Sequence, residues 1–412
     1  MISLAIVCLY GALTAVARLL AMLNHRNLPN LIGILLVALA TSCVSHVTPF
    51  VSPASQTMSP QGPLMMRLAF IGDTGEPSPG EPVLMALQKW AGRDAKNTRI
   101  VFLGDNIYPE GMTQASYQEA VAKIRPQVES VRRSRASAIF IPGNHDWAKG
   151  GPQGAAATAR QVAFLKAQAG NVATMLPDDQ CPGPVHLDLP EENPVVRLII
   201  LDTQWWLNEP AYNTCNVSEN QVFADIEELC NSDLPIFIAS HHPVESMGPH
   251  GGFFDWQDHL FPLTRLDNRL WIPLPILGSL YPLYRKSNPS VQDIEGPRYQ
   301  QLKNRLLRIA DRSPAPLLSF IAGHDHSLQV FKGKKPGRYR LVSGAGSKKK
   351  ITAVGDNQNT LFAHGTSGLM SIDIRKNPVS NKNQVWLHVI EPGQPPNMEP
   401  RIVYSHVMVP AR

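Results

Sequence analysis

The sequence predicts an α/β fold, and three observations carry that reading. Apolar runs of strand length alternate along the chain with stretches of helical spacing. Five of those runs end in a small residue followed by Asp, Asn or His. Of the 412 residues, 43% are hydrophobic, enough to bury a sizeable core and to exclude wholesale disorder.

The elements follow in order. Residues 67–71 read as a strand that ends in Gly72-Asp73. Residues 82–95 have helical spacing, with Leu84, Leu87, Trp90 and Ala91 on one face. A strand at 100–103 ends in Gly104-Asp105. Residues 115–133 read as a helix broken or kinked at Pro126, whose ring removes one backbone donor. A strand at 138–141 runs into Pro142-Gly143-Asn144-His145, and a helix is expected over 155–169. After a strand at 195–201, Ser218 opens a helix to Leu229 with Glu219 in its first turn. A strand at 236–239 ends in Ser240-His241-His242. Residues 298–310 are helical, and a strand at 317–322 ends in Gly323-His324-Asp325-His326. Short strands are expected near 328–331, 339–343, 368–374, 384–389 and 401–407. In α/β sheets the loops beyond the carboxyl ends of the strands converge on one place. Residues scattered from 73 to 326 can therefore meet.

Composition excludes several function classes. Lys and Arg number 38 against 33 Asp and Glu, a net +5, too mild for a dedicated nucleic-acid binder. Five Cys without a CxxC pair exclude zinc fingers and a thioredoxin-type motif, and neither an internal repeat nor a heptad array is present. The chain opens on two apolar stretches, at 1–17 and 31–40, the second preceded by His25 and Arg26 and ending in Leu39-Ala40-Thr41-Ser42-Cys43. A charged start, an apolar run and small residues at the cut are the parts of a secretory signal. The small residues before Cys43 resemble a bacterial lipoprotein box, which implies lipidation of Cys43 and a place in the cell envelope, periplasmic or membrane-anchored. A start at Met22 makes 22–43 alone a well-proportioned signal; the alternative is an uncleaved anchor over 1–17. Residues 44–62, rich in Ser, Thr, Pro and Gln without charge, read as a tether. Residues 63–412 then form the catalytic domain, with an insertion at 251–297.

The strand-end residues supply oxygen and nitrogen donors without a thiolate: Asp73, Asp105, Tyr108, Asn144, His241, His324 and His326. That set suits Fe, Mn or Zn better than a closed structural zinc. Seven donors exceed one tetrahedral ion and fit two ions sharing a carboxylate, a device for hydrolysing phosphate esters. Gly72-Asp73-Thr74-Gly75, Gly104-Asp105-Asn106-Ile107-Tyr108, Gly143-Asn144-His145-Asp146, Ser240-His241-His242-Pro243 and Gly323-His324-Asp325-His326 resemble the five blocks of calcineurin-like metallophosphoesterases. Tyr108, three places after the second Asp, is similar to the purple acid phosphatase branch, in particular its tartrate-resistant type. The stretch from Gly323 to Gln329 and the run Val342-Ser343-Gly344-Ala345-Gly346 are also similar to that type.

The resemblance implies a four-layer α/β/β/α sandwich of two mixed β-sheets flanked by helices, with the late strands from 368 to 407 completing the second sheet. It implies that Asp73, Tyr108 and His326 hold one ion, ferric iron, and that Asn144, His241 and His324 hold the other, Fe(2+), Zn(2+) or Mn(2+). Asp105 bridges them. His145 and His250 resemble the substrate-binding histidines, so they are the expected catalytic residues. His242, Asp146 and Asp325 are expected to support ligands or to contact substrate. The expected reaction is hydrolysis of a phosphate monoester by water activated between the ions. A phosphodiesterase or nucleotide-ester hydrolase is the enzymatic alternative, and a non-catalytic surface lipoprotein that of another class. The oligomeric state is left open.

The insertion carries Phe253, Phe254, Trp256, Trp271, Tyr281 and Tyr284 among prolines. It is either a lid over the metal pocket or a packed excursion sealing a sheet edge. As a lid, its deletion is expected to change substrate preference and spare metal content. Cys215 and Cys230 bracket the helix from Ser218 and can pair in an oxidising compartment, with Cys181 left over or competing. Lys348, Lys349 and Lys350 either attract anionic substrate or form a solvated loop, and His259, His364, His388 and His406 receive no role.

Overall fold

The structure is a computed structural model, and it describes residues 46, 48–53, 62–265, 269–274, 277–347, 351–395 and 398–409. The expected export segment 1–43 with its alternative start at Met22, much of the 44–62 stretch, and Lys348, Lys349 and Lys350 lie outside the described residues.

Strand β1 (Phe50–Val51) precedes β2 (Leu64–Ile71). Helix α1 (Pro82–Gly92) has Pro82 in its first turn, where the missing N–H has no intrahelical partner to lose, and buries Leu84, Leu87 and Trp90. After β3 (Thr98–Phe102), α2 (Tyr117–Ser134) runs as one helix through Pro126 and ends at Arg135, which adopts the left-handed conformation. Next come β4 (Ser137–Phe140), α3 (Gly154–Ala169), β5 (Ala173–Met175), β6 (Val185–Leu189) and β7 (Val196–Ile200). The short α4 (Gln204–Leu207) and α5 (Glu219–Leu229) lead to β8 (Ile236–Ala239). The excursion holds α6 (Trp256–Leu260) and α7 (Leu280–Ser287), and α8 (Pro297–Arg312) follows it. The chain closes with β9 (Leu318–Ala322), β10 (Leu328–Lys332), β11 (Arg338–Ser343), β12 (Thr360–His364), β13 (Leu369–Lys376), β14 (Asn383–Glu391) and β15 (Arg401–Val409).

Two mixed sheets result. One has the order β15-β14-β13-β2-β3-β4-β5, the other β1-β12-β10-β11-β9-β8-β7-β6. Leu68, Phe70, Val101 and Ile139 from the first sheet pack against Leu198, Phe237, Ile321 and Val330 from the second. The first sheet's other face packs Ile100, Phe102 and Phe140 against Leu84 and Leu87 of α1, Ile124 and Val128 of α2 and Leu165 of α3. The second sheet's outer face packs Ile199, Ile238 and Phe320 against Phe223 and Ile226 of α5 and Leu302 and Leu306 of α8. These contacts make the expected four-layer α/β/β/α sandwich.

Several expectations need correction. The late strands do not complete the second sheet: β13 pairs antiparallel with β2, so β13 to β15 extend the first. A buried ion pair fixes that junction, with Arg67 Nε and Nη2 donating to Asp373 at 2.8 and 2.7 Å. Part of the expected tether is also structured, because β1 pairs antiparallel with β12. The cysteine pairing differs too. Cys181 bonds to Cys215, while Cys230 is free and buried. Cys230 is buried in the apolar cluster that also holds Ile226 and Ala310, and burial pushes its thiol up to about 12. Strands β5, β6 and β12 were not foreseen.

Candidate metal centre

Strands β2, β3 and β4 of one sheet and β8 and β9 of the other end at a common rim, where their loops are stitched together. Gly72 N–H donates to Ser343 O across the sheets at 2.7 Å, and Asp73 N–H donates to Gly104 O at 2.9 Å. Asp73, Asp105 and His324 have φ of 59°, 53° and 71°. Non-glycine residues seldom occupy this region, and such strain persists only where the surroundings over-determine it. It falls on three of the expected donors. Gly104 is required for the same rim: its φ is +89°, and a Cβ there would lie 2.6 Å from His241 Nδ1.

The seven expected donors form two groups. In the first, the Tyr108 hydroxyl donates to Asp73 Oδ1 at 2.9 Å and lies 3.2 Å from His326 Nε2, itself 3.3 Å from Asp73 Oδ1. In the second, His241 Nε2 lies 3.0 Å from Asn144 Oδ1, 3.2 Å from His324 Nδ1 and 3.4 Å from Asp105 Oδ1. Asp105 stands between the groups: ligand atoms of Asp73, Asp105 and His241 lie within 4.8 Å of one another. All of these side chains except that of His326 are buried.

The second group fits a cation on proton accounting. His241 Nδ1 faces the Leu103 carbonyl at 2.8 Å, and His324 Nε2 faces the Gln292 carbonyl at 2.8 Å. A carbonyl only accepts, so in a neutral ring those nitrogens carry the proton. His241 Nε2 and His324 Nδ1 are then bare lone pairs, and Asn144 Oδ1 is a third acceptor beside them. Three acceptors aimed at one point without a proton repel unless a cation lies among them. Burial, reinforced by the charges of His250 and His242, holds His324 well below the ordinary histidine range, which keeps its ring neutral.

The first group is dominated by the Asp73 and Asp105 carboxylates around a phenol. Burial first, then the Asp73 and Asp105 carboxylates, push the Tyr108 phenol well above its ordinary value. Burial would lower His326, but its hydrogen bond to Asp73 and the nearby charges of Asp73, Asp105 and Asp325 together outweigh this and raise it. Burial would likewise raise Asp105, and the neighbouring His241 and His145 reverse this.

The supporting residues form a ring around these donors. His145 N–H donates to Asp105 Oδ1 at 2.9 Å, its Nδ1 faces Pro109 O at 2.6 Å, and its side chain is 24% open to solvent. His250 Nδ1 lies 3.1 Å from Asp293 Oδ1, and its ring lies over His324 with centroids 4.0 Å apart. Asp325 accepts from His250 N–H at 3.1 Å and from Ser246 Oγ at 2.5 Å. Asp146 Oδ2 accepts from Gly143 N–H at 2.8 Å and from the Asn106 amide at 3.0 Å, and burial beside Asp105 pushes its carboxyl well above the usual range. His242 is buried between Thr203 Oγ1 and Gln292 Oε1, each 2.8 Å away. Both of its ring nitrogens are therefore engaged within the protein.

Three residues here lay outside the sequence reading. Gln292 contacts His324 and His242, Asp293 contacts His250, and Thr203 contacts His242. They belong to no motif block. The signal that pointed at two of them was the length of the insertion, whose last residues run back to the rim. The insertion thus contributes to the site, and Trp256, Trp271 and Tyr284 are exposed.

Among known proteins, a family model for calcineurin-like phosphoesterases matches residues 66–328. No curated protein matches the chain. One similar solved structure is that of GAP50, the anchor in the inner membrane complex of Plasmodium. It is 14% identical with a TM-score of 0.51, covering 84% of this chain and 89% of that one. Another is the structure of PhoD, 11% identical with a TM-score of 0.48, covering 84% of this chain and 72% of that one. At 14% identity the likeness to GAP50 is one of fold.

Proposed function

The chain belongs to the calcineurin-like phosphoesterase family, metal-dependent hydrolases of phosphate esters, and from that premise we propose that it is an exported phosphomonoesterase of the purple acid phosphatase branch. One observation carries the choice of branch: the Tyr108 hydroxyl stands within 2.9 Å of Asp73 and 3.2 Å of His326 as a third donor. A buried phenol between two carboxylates releases its proton to water only where a strongly charged cation takes that proton's place on the oxygen. Asp73, Tyr108 and His326 would hold ferric iron, and Asn144, His241 and His324 would hold Fe(2+), Zn(2+) or Mn(2+), with Asp105 shared. Two such cations, when bound, neutralise phosphate oxygens and lower the pKa of water.

The chain's own residues do the rest. Asp105 and His145 are coupled, because the His145 backbone N–H holds the Asp105 carboxylate in place. The Pro109 carbonyl accepts a hydrogen bond from His145 Nδ1–H, leaving Nε2 to hold or deliver a proton to the departing alkoxide. Asp293 occupies His250 Nδ1 in the same way and leaves Nε2 toward substrate. Asp325 holds the His250 backbone, so the two imidazoles keep fixed positions while the ester is oriented.

The test is hydrolysis of para-nitrophenyl phosphate against its bis ester, with metal analysis and a visible spectrum of the same sample. Preference for the monoester and a charge-transfer band from Tyr108 support the proposal. Preference for the bis ester makes the chain a diesterase, and a colourless, fully active protein removes the ferric assignment. Export is tested by mass spectrometry: a mature chain beginning at a lipidated Cys43 supports it, and one beginning at Met1 contradicts it.

A further inference from the structure

Among the described residues fifteen large apolar side chains are exposed, and nine of them lie between Trp256 and Tyr284. Single exposed apolar residues are ordinary, whereas clustered ones mark interaction surfaces. The exposure is high: 53% for Trp271, 58% for Leu280, 58% for Leu283 and 65% for Tyr284. A formed scaffold presents them. Asp255 closes a capping box on α6, Leu274 N–H donates to Leu260 O at 2.7 Å, and His259 Nδ1 lies 3.0 Å from Ser279 Oγ. The Phe261 ring lies 6.1 Å from that of Trp256 and 5.2 Å from that of Trp271.

Two observations identify what covers this surface. The first is its chemistry. Trp and Tyr rings stand among leucines, with Arg269 and Lys286 beside them. Amphipathic rings with basic neighbours are the composition of segments that lie at the headgroup level of a bilayer. The second is where the preceding chain emerges. His46 N–H donates to Val354 O at 2.8 Å, Gly365 N–H donates to His46 O at 3.1 Å, and His46 Nε2 lies 2.8 Å from Asp356 Oδ1. Gly355, between those partners, donates to Met247 O at 3.0 Å and lies so near the Phe253 ring that a Cβ would overlap it. Phe253 is at the root of the excursion. His46, the first described residue, therefore stands beside the root of the segment that bears the patch, and the apolar runs at 1–17 and 31–40 precede it in the sequence.

We propose that the patch carried by Trp256, Trp271, Leu280, Leu283 and Tyr284 docks on a lipid bilayer, these side chains entering the boundary between headgroups and acyl chains. This membrane contact does not depend on which ester is cleaved.

The chain has its own reporter. Its first tryptophan is Trp90, and Trp90, Trp147, Trp205, Trp206 and Trp386 are buried, so quenching by lipid reads Trp256 and Trp271. The full chain is bound to vesicles of phosphatidylcholine with a minor fraction of phosphatidylglycerol, with acyl chains brominated or plain. The brominated lipid is expected to quench tryptophan emission. The quenching should vanish in the Trp256→Phe/Trp271→Phe variant. It should also vanish in Leu283→Glu/Tyr284→Glu, which keeps the wild-type rate on soluble para-nitrophenyl phosphate. Equal emission from vesicle-bound chain in both lipids overturns the proposal, as does quenching that survives loss of Trp256 and Trp271. A dimer in sedimentation that Leu283→Glu/Tyr284→Glu dissolves, without quenching, gives the patch to a second copy and also overturns it. An inactive wild type would count against the hydrolase reading alone, because quenching needs no turnover.

Discussion

Tyr108 is the residue on which the proposed ferric assignment rests. Without a cation its phenol is held protonated by burial and two carboxylates, and it donates to Asp73 at 2.9 Å. Tyr108→Phe keeps the ring and loses only the oxygen. The visible band should disappear while hydrolysis falls by no more than about tenfold, a loss of ~1.4 kcal/mol in barrier terms; a band that survives in this variant rejects the phenolate. Asp202 makes a second single-residue prediction. Burial raises its carboxyl from 3.8 to about 7, although Trp147 Nε1 donates to it at 2.7 Å. Between those values the folded chain keeps a proton that the unfolded chain has released, so the stability that Asp202 contributes is complete below 3.8 and is lost as pH rises to about 7. Asp202→Asn should therefore gain thermal stability relative to the wild type as pH rises through this window. A melting-temperature difference that stays flat, or shrinks, would contradict the assignment. The donors were legible because each follows a strand end in a short motif. Asp293 and Gln292 were not, since what gives them a role is a fold-back that leaves no local pattern.

At the scale of elements, the excursion from 251 to 297 has two parts with different jobs. Residues 292–294 touch the rim: Gln292 O accepts from His324, Asp293 meets His250, and Ile294 N–H donates to His250 O at 2.9 Å. The segment from 256 to 284 carries the exposed aromatic and aliphatic side chains. Removing the whole excursion should thus lower metal retention, contrary to the sequence expectation, whereas trimming 256–284 alone should leave it intact. Metal analysis of the two deletions distinguishes these outcomes, and equal retention in both would show that Gln292 O is dispensable. The turn after β3 makes a sharper case. Gly104→Ala forces a side chain into the left-handed region against His241 Nδ1 at 2.6 Å. Backbone strain of ~1–3 kcal/mol is expected, with loss of metal at the Asn144, His241 and His324 group. The main strands and helices were legible from apolar runs and helical spacing, while β5, at three residues, was too short to leave a pattern. The cysteine pairing was not legible, because the bond joins Cys181 to Cys215 across 34 residues while Cys230 is buried, and no local pattern announces either.

At the scale of the molecule, two sheets and their flanking helices bring side chains from 73 to 326 to one rim. The sequence carried the layer order only through the family resemblance, because no residue pattern says which sheet receives β13 to β15. Those strands join the first sheet through Arg67 and Asp373, a pair 306 residues apart that no local motif announces. The rim's repelling acceptors and buried carboxylates also predict a whole-molecule effect. Chelation should lower the melting temperature, and returning metal at a hundred times its dissociation constant should restore about 2.7 kcal/mol. A melting temperature indifferent to chelator would mean that the rim is stable without cations. The central claim, that seven side chains hold two cations around Asp105, is tested most directly by counting bound transition metal in purified chain and in Asp105→Asn. The account predicts two equivalents in the wild type, with less metal and no turnover in the variant. Trace metal in an active wild type, or an unchanged count in an active Asp105→Asn, would contradict it.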